Sequence, residues 1–206
     1  SRLISPPTTV PNAPNPRLRF RHWFNFNWDD NGQVQVREAG GAWETLMTYP
    51  QALWSGNRWE WASIDLTKYA GKEIEIGFLF HAQINSNGRS YEAEGWYLDD
   101  VEIISGPRVF RNPETFESAD VLDHWYADNG VWEVGVPTGY PAETRPGTKV
   151  AATLLDTNYW DAYYGRDSRL ISPPTTVPNA PNPRLRFRHW FNFHWDDYGQ
   201  VQVREV

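Results

Sequence analysis

Acidic side chains set next to one another are the first residues in this chain whose types and spacing could do chemistry. In Gly95–Ile103, GWYLDDVEI, the residues Tyr97, Asp99, Val101 and Ile103 share one side if the segment is a strand. That sets Asp99 among apolar neighbours, with Asp100 beside it. An ionised carboxylate withdrawn from water is costly unless a cation or several donors face it, so the pair asks for an arginine or a metal ion. The chain has no Cys, and ligation by oxygen alone points to calcium. A second acidic stretch, Asp29-Asp30-Asn31-Gly32, recurs as Asp196-Asp197-Tyr198-Gly199. It lacks the alternating acids and distal Glu of an EF-hand, and reads as a tight turn in which Asn-Gly or Tyr-Gly supplies positive φ. Asp29 and Asp30 are second-rank metal candidates.

Other reactive patterns are sparse. The chain carries no HExxH, GxSxG or GxxxxGK[ST], and Glu92 and Glu94 alternate along an extended segment instead of flanking a substrate. His22 and His189 sit inside strand-like sequence and read as hydrogen-bonded core or edge imidazoles. The expectation is a protein without catalytic activity. Trp54, Trp59 and Trp61, in LWSGNRWEW, could offer flat rings to sugars, the alternative reading. Against it, Trp59 and Trp61 share strand parity, and aromatic residues in β sandwiches more often fill the core than form a platform.

Strands must position all of these residues. Leu18, Phe20, Phe24 and Phe26 alternate with Arg17, Arg19, Arg21 and Asn25. Val34 and Val36 alternate with Gln33, Gln35 and Arg37, and Ile74, Ile76, Phe78 and Phe80 with Glu73, Glu75 and Gly77. A period of two marks sheets with one face buried and one wet. The Arg and Glu stripes read as solvated faces that discourage edge-to-edge aggregation. Fifteen Gly and sixteen Pro punctuate the chain, and no stretch has helical apolar spacing long enough for an ordinary helix. The predicted class is all-β, an antiparallel two-sheet sandwich.

Composition narrows the function classes. A formal charge of −7 argues against indiscriminate nucleic-acid binding, and no apolar run is long enough to insert in a bilayer. Twelve Trp, ten Tyr and ten Phe suffice for a packed core, so whole-chain disorder is excluded.

Residues 1–38 recur at 168–205 with only two changes, Asn27 to His194 and Asn31 to Tyr198. A period of 167 residues is a domain, not a solenoid rung. The turn-rich Ser105–Pro113, SGPRVFRNP, is the best natural boundary, whereas Ser5–Pro16 reads as a proline-stiffened loop or edge crossing. The chain is therefore expected to be an excerpt. Residues 1–106 would be the C-terminal part of one repeat, 107–113 a junction, and 114–206 the N-terminal part of the next.

Several segments resemble the calcium-binding jelly rolls of the cleaved-adhesin or MAM-like family. Phe116-Glu117, then Asp128-Asn129-Gly130 with Trp132 and Gly135, resemble its opening. Leu170–Pro173, Trp28–Val36 with Trp43, and Ile64–Gly71 resemble its middle strands, and Gly95–Ile103 its closing strand. They follow the family's order once the circular offset is undone. The resemblance implies a jelly roll with two sheets of about five strands. It also implies calcium held by Glu117, Asp128, Asp99 and Asp100, where first and last strands meet. The acid-poor Asp128 turn would leave a backbone carbonyl or water to complete the oxygen shell. The implied role is a secreted or cell-surface stalk, fibre subunit or adhesin, its partners neighbouring copies of the same repeat. The position of the cut adds that neither 1–106 nor 111–206 is expected to close a sandwich alone, so separate chains could exchange strands as a head-to-tail homopolymer. The competing outcome is a closed monomer with 111–167 packed back on 1–106 and the second copy loose. In the alternative reading, a carbohydrate-binding accessory domain, the partner is a glycan.

Overall fold

The computed structural model describes residues 1–50, 55, 58–84, 88, 92–128, 131–139, 147–159 and 167–205. Two antiparallel sheets form its centre. The first contains β1 (Arg2–Ile4), β7 (Glu73–His81), β4 (Asn31–Glu38) and β5 (Glu44–Tyr49), in that order, with β2 (Thr8–Thr9) also on β7. The second has the order β6 (Glu60–Asp65), β3 (Arg17–Asn25), β8 (Gly95–Ile104). The all-β class predicted from the alternation is what the chain adopts. Helix among the described residues is confined to a 3-10 turn at Thr67–Tyr69 and one turn, α1, at Val121–His124.

The alternating apolar residues explain why the two sheets face each other. Leu18, Phe20, Phe24 and Phe26 of the β3 segment, Val34 and Val36 of β4, and Ile74, Ile76 and Phe78 of β7 are all buried in one core. Phe20 meets Phe78 edge-on across the sheets at 5.2 Å, the arrangement aromatic quadrupoles favour. Burying such side chains contributes about 1.5–3 kcal/mol each before entropy is charged. Ser5–Pro16 does run along a sheet edge: β1 and β2 both pair with β7, and the prolines fall where ladder donors are not needed.

Four expectations require correction. Asp99 is exposed, because Trp96, Leu98 and Ile103 are the β8 residues that pack on the core. Arg21 pairs with Asp99 but Arg19 with Glu102, so β8 carries one extra residue opposite Phe20. This β-bulge, at which Asp100 takes φ 49°, resets the strand's parity and turns both carboxylates outward. The acidic turn lies one step earlier than expected: Asp30 N donates to Asn27 O at 3.1 Å, and Asn31 already begins β4. Gly32 is needed there for close approach instead of positive φ, since a Cβ would stand 2.8 Å from Phe26 Cζ and 3.0 Å from the Trp96 ring. The Arg stripe of β3 is not simply solvated, for Arg17 is buried at 7% exposure. Finally, Trp61 is not a core residue but lies half-buried on the outer face of β6.

Beyond β8 the chain forms small two-stranded pieces. β9 (Tyr126–Ala127) pairs with β12 (Leu170–Ile171), and β10 (Glu133–Gly135) with β11 (Val150–Ala152). Residues 174–205, the copy of 7–38, form no strand and are exposed almost throughout. Sequence alone therefore does not make this segment a sheet. The first copy has β5–β8 to pair with, and the second has no such partner among the described residues.

Candidate functional site

The side chains that meet over the longest sequence distances line the outer face of the second sheet. Arg17 Nη2 donates to Asp123 O at 2.7 Å, and Arg19 binds Asp123 Oδ1 at 2.6 Å and Glu102 Oε1 at 2.7 Å. Alternation on β3 aims both guanidiniums away from the core, and α1 places Asp123 over them. Burial pulls the Arg17 guanidinium below its usual pKa. Burial acts on Arg19 likewise, but its hydrogen bonds to Glu102 and Asp123 outweigh it and raise the value. Arg108 extends the ledge, donating to His124 O, Ile171 O and Ser172 O and covering the Tyr126 ring at 4.6 Å. Arg58 holds Glu133 and Asp156. Arginines of the sandwich, Arg17, Arg19 and Arg58, thus hold Asp123, Glu133 and Asp156 of the chain beyond β8 against it. Long-range pairs of this kind leave no local signal in a sequence.

Five of the six carboxylates proposed for calcium, Glu117, Asp128, Asp99, Asp100 and Asp30, have a partner in the protein. Glu117 accepts from Thr148 N at 2.6 Å and Lys149 N at 2.8 Å, and these donors hold it below the usual carboxylate range. Asp128 accepts from Arg169 N at 2.8 Å and also binds the Arg169 guanidinium. Asp99 Oδ1 accepts from Asp100 N, while Asp100 lies 3.6 Å from Arg21. Asp30 accepts from Gln83 N at 3.0 Å, and Asp29 is half-buried in the adjoining turn. Among the described residues no group of three His, Cys, Asp or Glu side chains stands ready to hold a metal. A calcium ion needs six to eight oxygens converging on one point, and carboxylates already committed to separate arginines and main-chain donors do not fit that requirement.

Of the tryptophans considered for sugar stacking, Trp54 lies outside the described residues. Trp59 is 45% exposed. The Trp61 ring is covered by Arg19 at 5.2 Å and Arg21 at 4.8 Å, contacts that occupy the face a sugar would need.

His22 is a core imidazole, 1% exposed, enclosed by Phe20, Phe24, Tyr49 and Trp96. Trp96 Nε1 donates to its Nδ1 at 3.3 Å, and its Nε2 lies 4.0 Å from Glu60 Oε2. His22 and Glu60 are the acid–base pair that the sequence reading missed, because Glu60 sits in the Trp-rich stretch and shows no acidic spacing. Both are buried, on adjacent strands of the second sheet, where they face each other in register and do not meet a solute.

No model of a known protein family matches the chain, and no curated protein is similar enough to match it. The likeness to the cleaved-adhesin or MAM-like family rests on the motifs quoted above.

Proposed function

We propose that this chain is a non-catalytic structural repeat module, a jelly-roll sandwich of an extracellular stalk, fibre or adhesin. The observation that carries the reading is the duplication: one copy of a 38-residue segment builds the sandwich, while its near-identical twin pairs only Leu170–Ile171, with β9, among the described residues. Near-identity over that length favours tandem copies whose value is length and valency. The acid–base pair in the core is sealed from solutes, in keeping with a scaffold. No described helix is long and apolar enough to cross a membrane. Calcium has no part in this reading, since the candidate ligands are engaged elsewhere.

A carbohydrate-binding accessory domain is the competing reading, favoured by the exposure of Trp59. Titration with soluble polysaccharides, followed by Trp fluorescence, separates the two. A structural module gives no saturable quenching, whereas saturation would replace the proposal with sugar binding.

A further inference from the structure

Residues 168–205 are more than a stretch of exposed apolar sequence, for they keep the local shape of residues 1–38. Phe191 and Phe193 stack at 5.3 Å and 20°, as Phe24 and Phe26 do at 5.2 Å and 20°. Phe187 meets His189 at 5.3 Å, as Phe20 meets His22 at 5.2 Å. The turn also recurs, with Asp197 N donating to His194 O at 3.0 Å. Gly199 packs beneath Phe193 as Gly32 does beneath Phe26. What differs is cover. Leu185, Phe187, Phe191 and Phe193 are 67%, 56%, 60% and 45% exposed, whereas their counterparts Leu18, Phe20, Phe24 and Phe26 are at most 3% exposed. A segment already holding its bound shape loses less entropy on docking.

The strand edges show how docking would proceed. In β1, Phe80 N donates to Ser1 O and Ser5 N donates to Ile76 O, so residues 1, 3 and 5 turn their main-chain groups toward β7. Residues 2 and 4 turn theirs to the outer edge. The copy uses that outer edge: Asp128 N donates to Arg169 O, the carbonyl equivalent to that of Arg2, and β12 pairs with β9. Its β7-facing edge is paired with no strand among the described residues. Several bonds are exchanged on docking. Ser168 O now accepts from Trp132 Nε1 and would take the donor equivalent to Phe80 N. The Tyr159 hydroxyl now donates to Asp197 and accepts from His194 N, where the equivalent Asp30 accepts from Gln83 N.

We infer that residues 168–205 form an interaction surface whose partner is the β5–β8 frame of a second copy of this chain, in the register that residues 1–38 use. Within its own chain β1 already occupies β7, and Arg108 clamps Ile171 O and Ser172 O beside β9. Insertion into a second copy releases that copy's residues 1–38, so sandwich contacts are conserved. It also carries β9 to the sheet edge where β1 now ends the first sheet, extending the ladder by one strand. Repeated, the contact is head-to-tail. The inference rests on the repeat-module reading and names its partner surface.

Single cysteines test it cleanly, because the chain has none of its own. Gln33 pairs with Thr48 across β4 and β5, and Gln200 is the copy of Gln33. Full-length chains carrying Thr48→Cys and Gln200→Cys are mixed at high concentration and mildly oxidised. The expected product is a disulfide-linked pair of one chain of each kind. It should form about tenfold more readily than with Gln202→Cys, whose equivalent Gln35 pairs with Thr45 instead. A Gln33→Cys/Thr48→Cys chain, closing internally, confirms that the variants fold. Equal yields from the two registers, or no mixed product, overturn the inference. So does preferential internal closure of a Thr48→Cys/Gln200→Cys chain, which would make the chain's own frame the occupant. Sugar quenching on the same variants would strike the repeat-module reading and leave the cross-linking result standing.

Discussion

Phe20 and Phe187 are the same side chain at equivalent positions of a duplicated segment, yet Phe20 is completely buried and Phe187 is 56% exposed. Phe20→Ala empties a space between the sheets and is expected to cost about 3–5 kcal/mol, whereas Phe187→Ala should cost less than about 0.5 kcal/mol. Denaturant unfolding in dilute solution checks this. Equal losses would mean that the two copies share the frame.

Acid should loosen the segment docked on the arginine ledge. Main-chain donors from Lys149 and Thr148 lower the Glu117 pKa, and the Ser118 hydroxyl, assisted by Arg111, brings Asp120 to about 2. A carboxylate depressed in the folded state stabilises above its unfolded pKa, and that contribution disappears as pH falls through the folded value. The weakening is therefore expected between about pH 4 and pH 2. Trp125, whose indole donates to Glu114 at 3.2 Å, reports it by fluorescence. No emission change across that range would count against the role of these two carboxylates.

Arg17 is a buried cation with incomplete compensation. Among the described residues its Nε and Nη1 have no hydrogen-bond partner, and Nη2 reaches Asp123 O. Replacing such a group with an apolar one of similar length is often neutral or stabilising, so Arg17→Met should leave stability within about 1 kcal/mol. Arg19→Met, which removes charged hydrogen bonds to Glu102 and Asp123, should be the more damaging change. Comparing the two thermal midpoints decides it, and the reverse order would show that the ledge depends on Arg17.

Calcium should not move the melting transition. Glu117, Asp128 and Asp100 are satisfied by Lys149, Arg169 and Arg21. Calorimetry with chelator and with added calcium should superimpose. A clear rise of the midpoint with calcium would mean that these carboxylates regroup around the ion.

Much of the sandwich was legible because β3, β4 and β7 each bury one face, which imprints a period of two on Leu18–Phe26, Val34–Val36 and Ile74–Phe80. The orientation of Asp99 was not, since one extra residue in β8 reverses parity and no local signal marks it. The cover over Arg17 was equally hidden, because Asp123 arrives from 106 positions away. Composition could not separate the fates of the two copies either, as almost the same residues occur in both. The candidate calcium ligands were found as acids, but where each carboxylate points depends on donors such as Lys149 N and Arg169 N, contributed by distant chain.

Duplication also gives the molecule an internal reference for spectroscopy. His22 and His189, or Trp23 and Trp190, have the same covalent neighbours but different surroundings. In one isotopically labelled sample, the difference in resonance frequency between the members of each couple isolates the influence of tertiary environment. Any convergence of those frequencies over time would directly clock the two segments trading places.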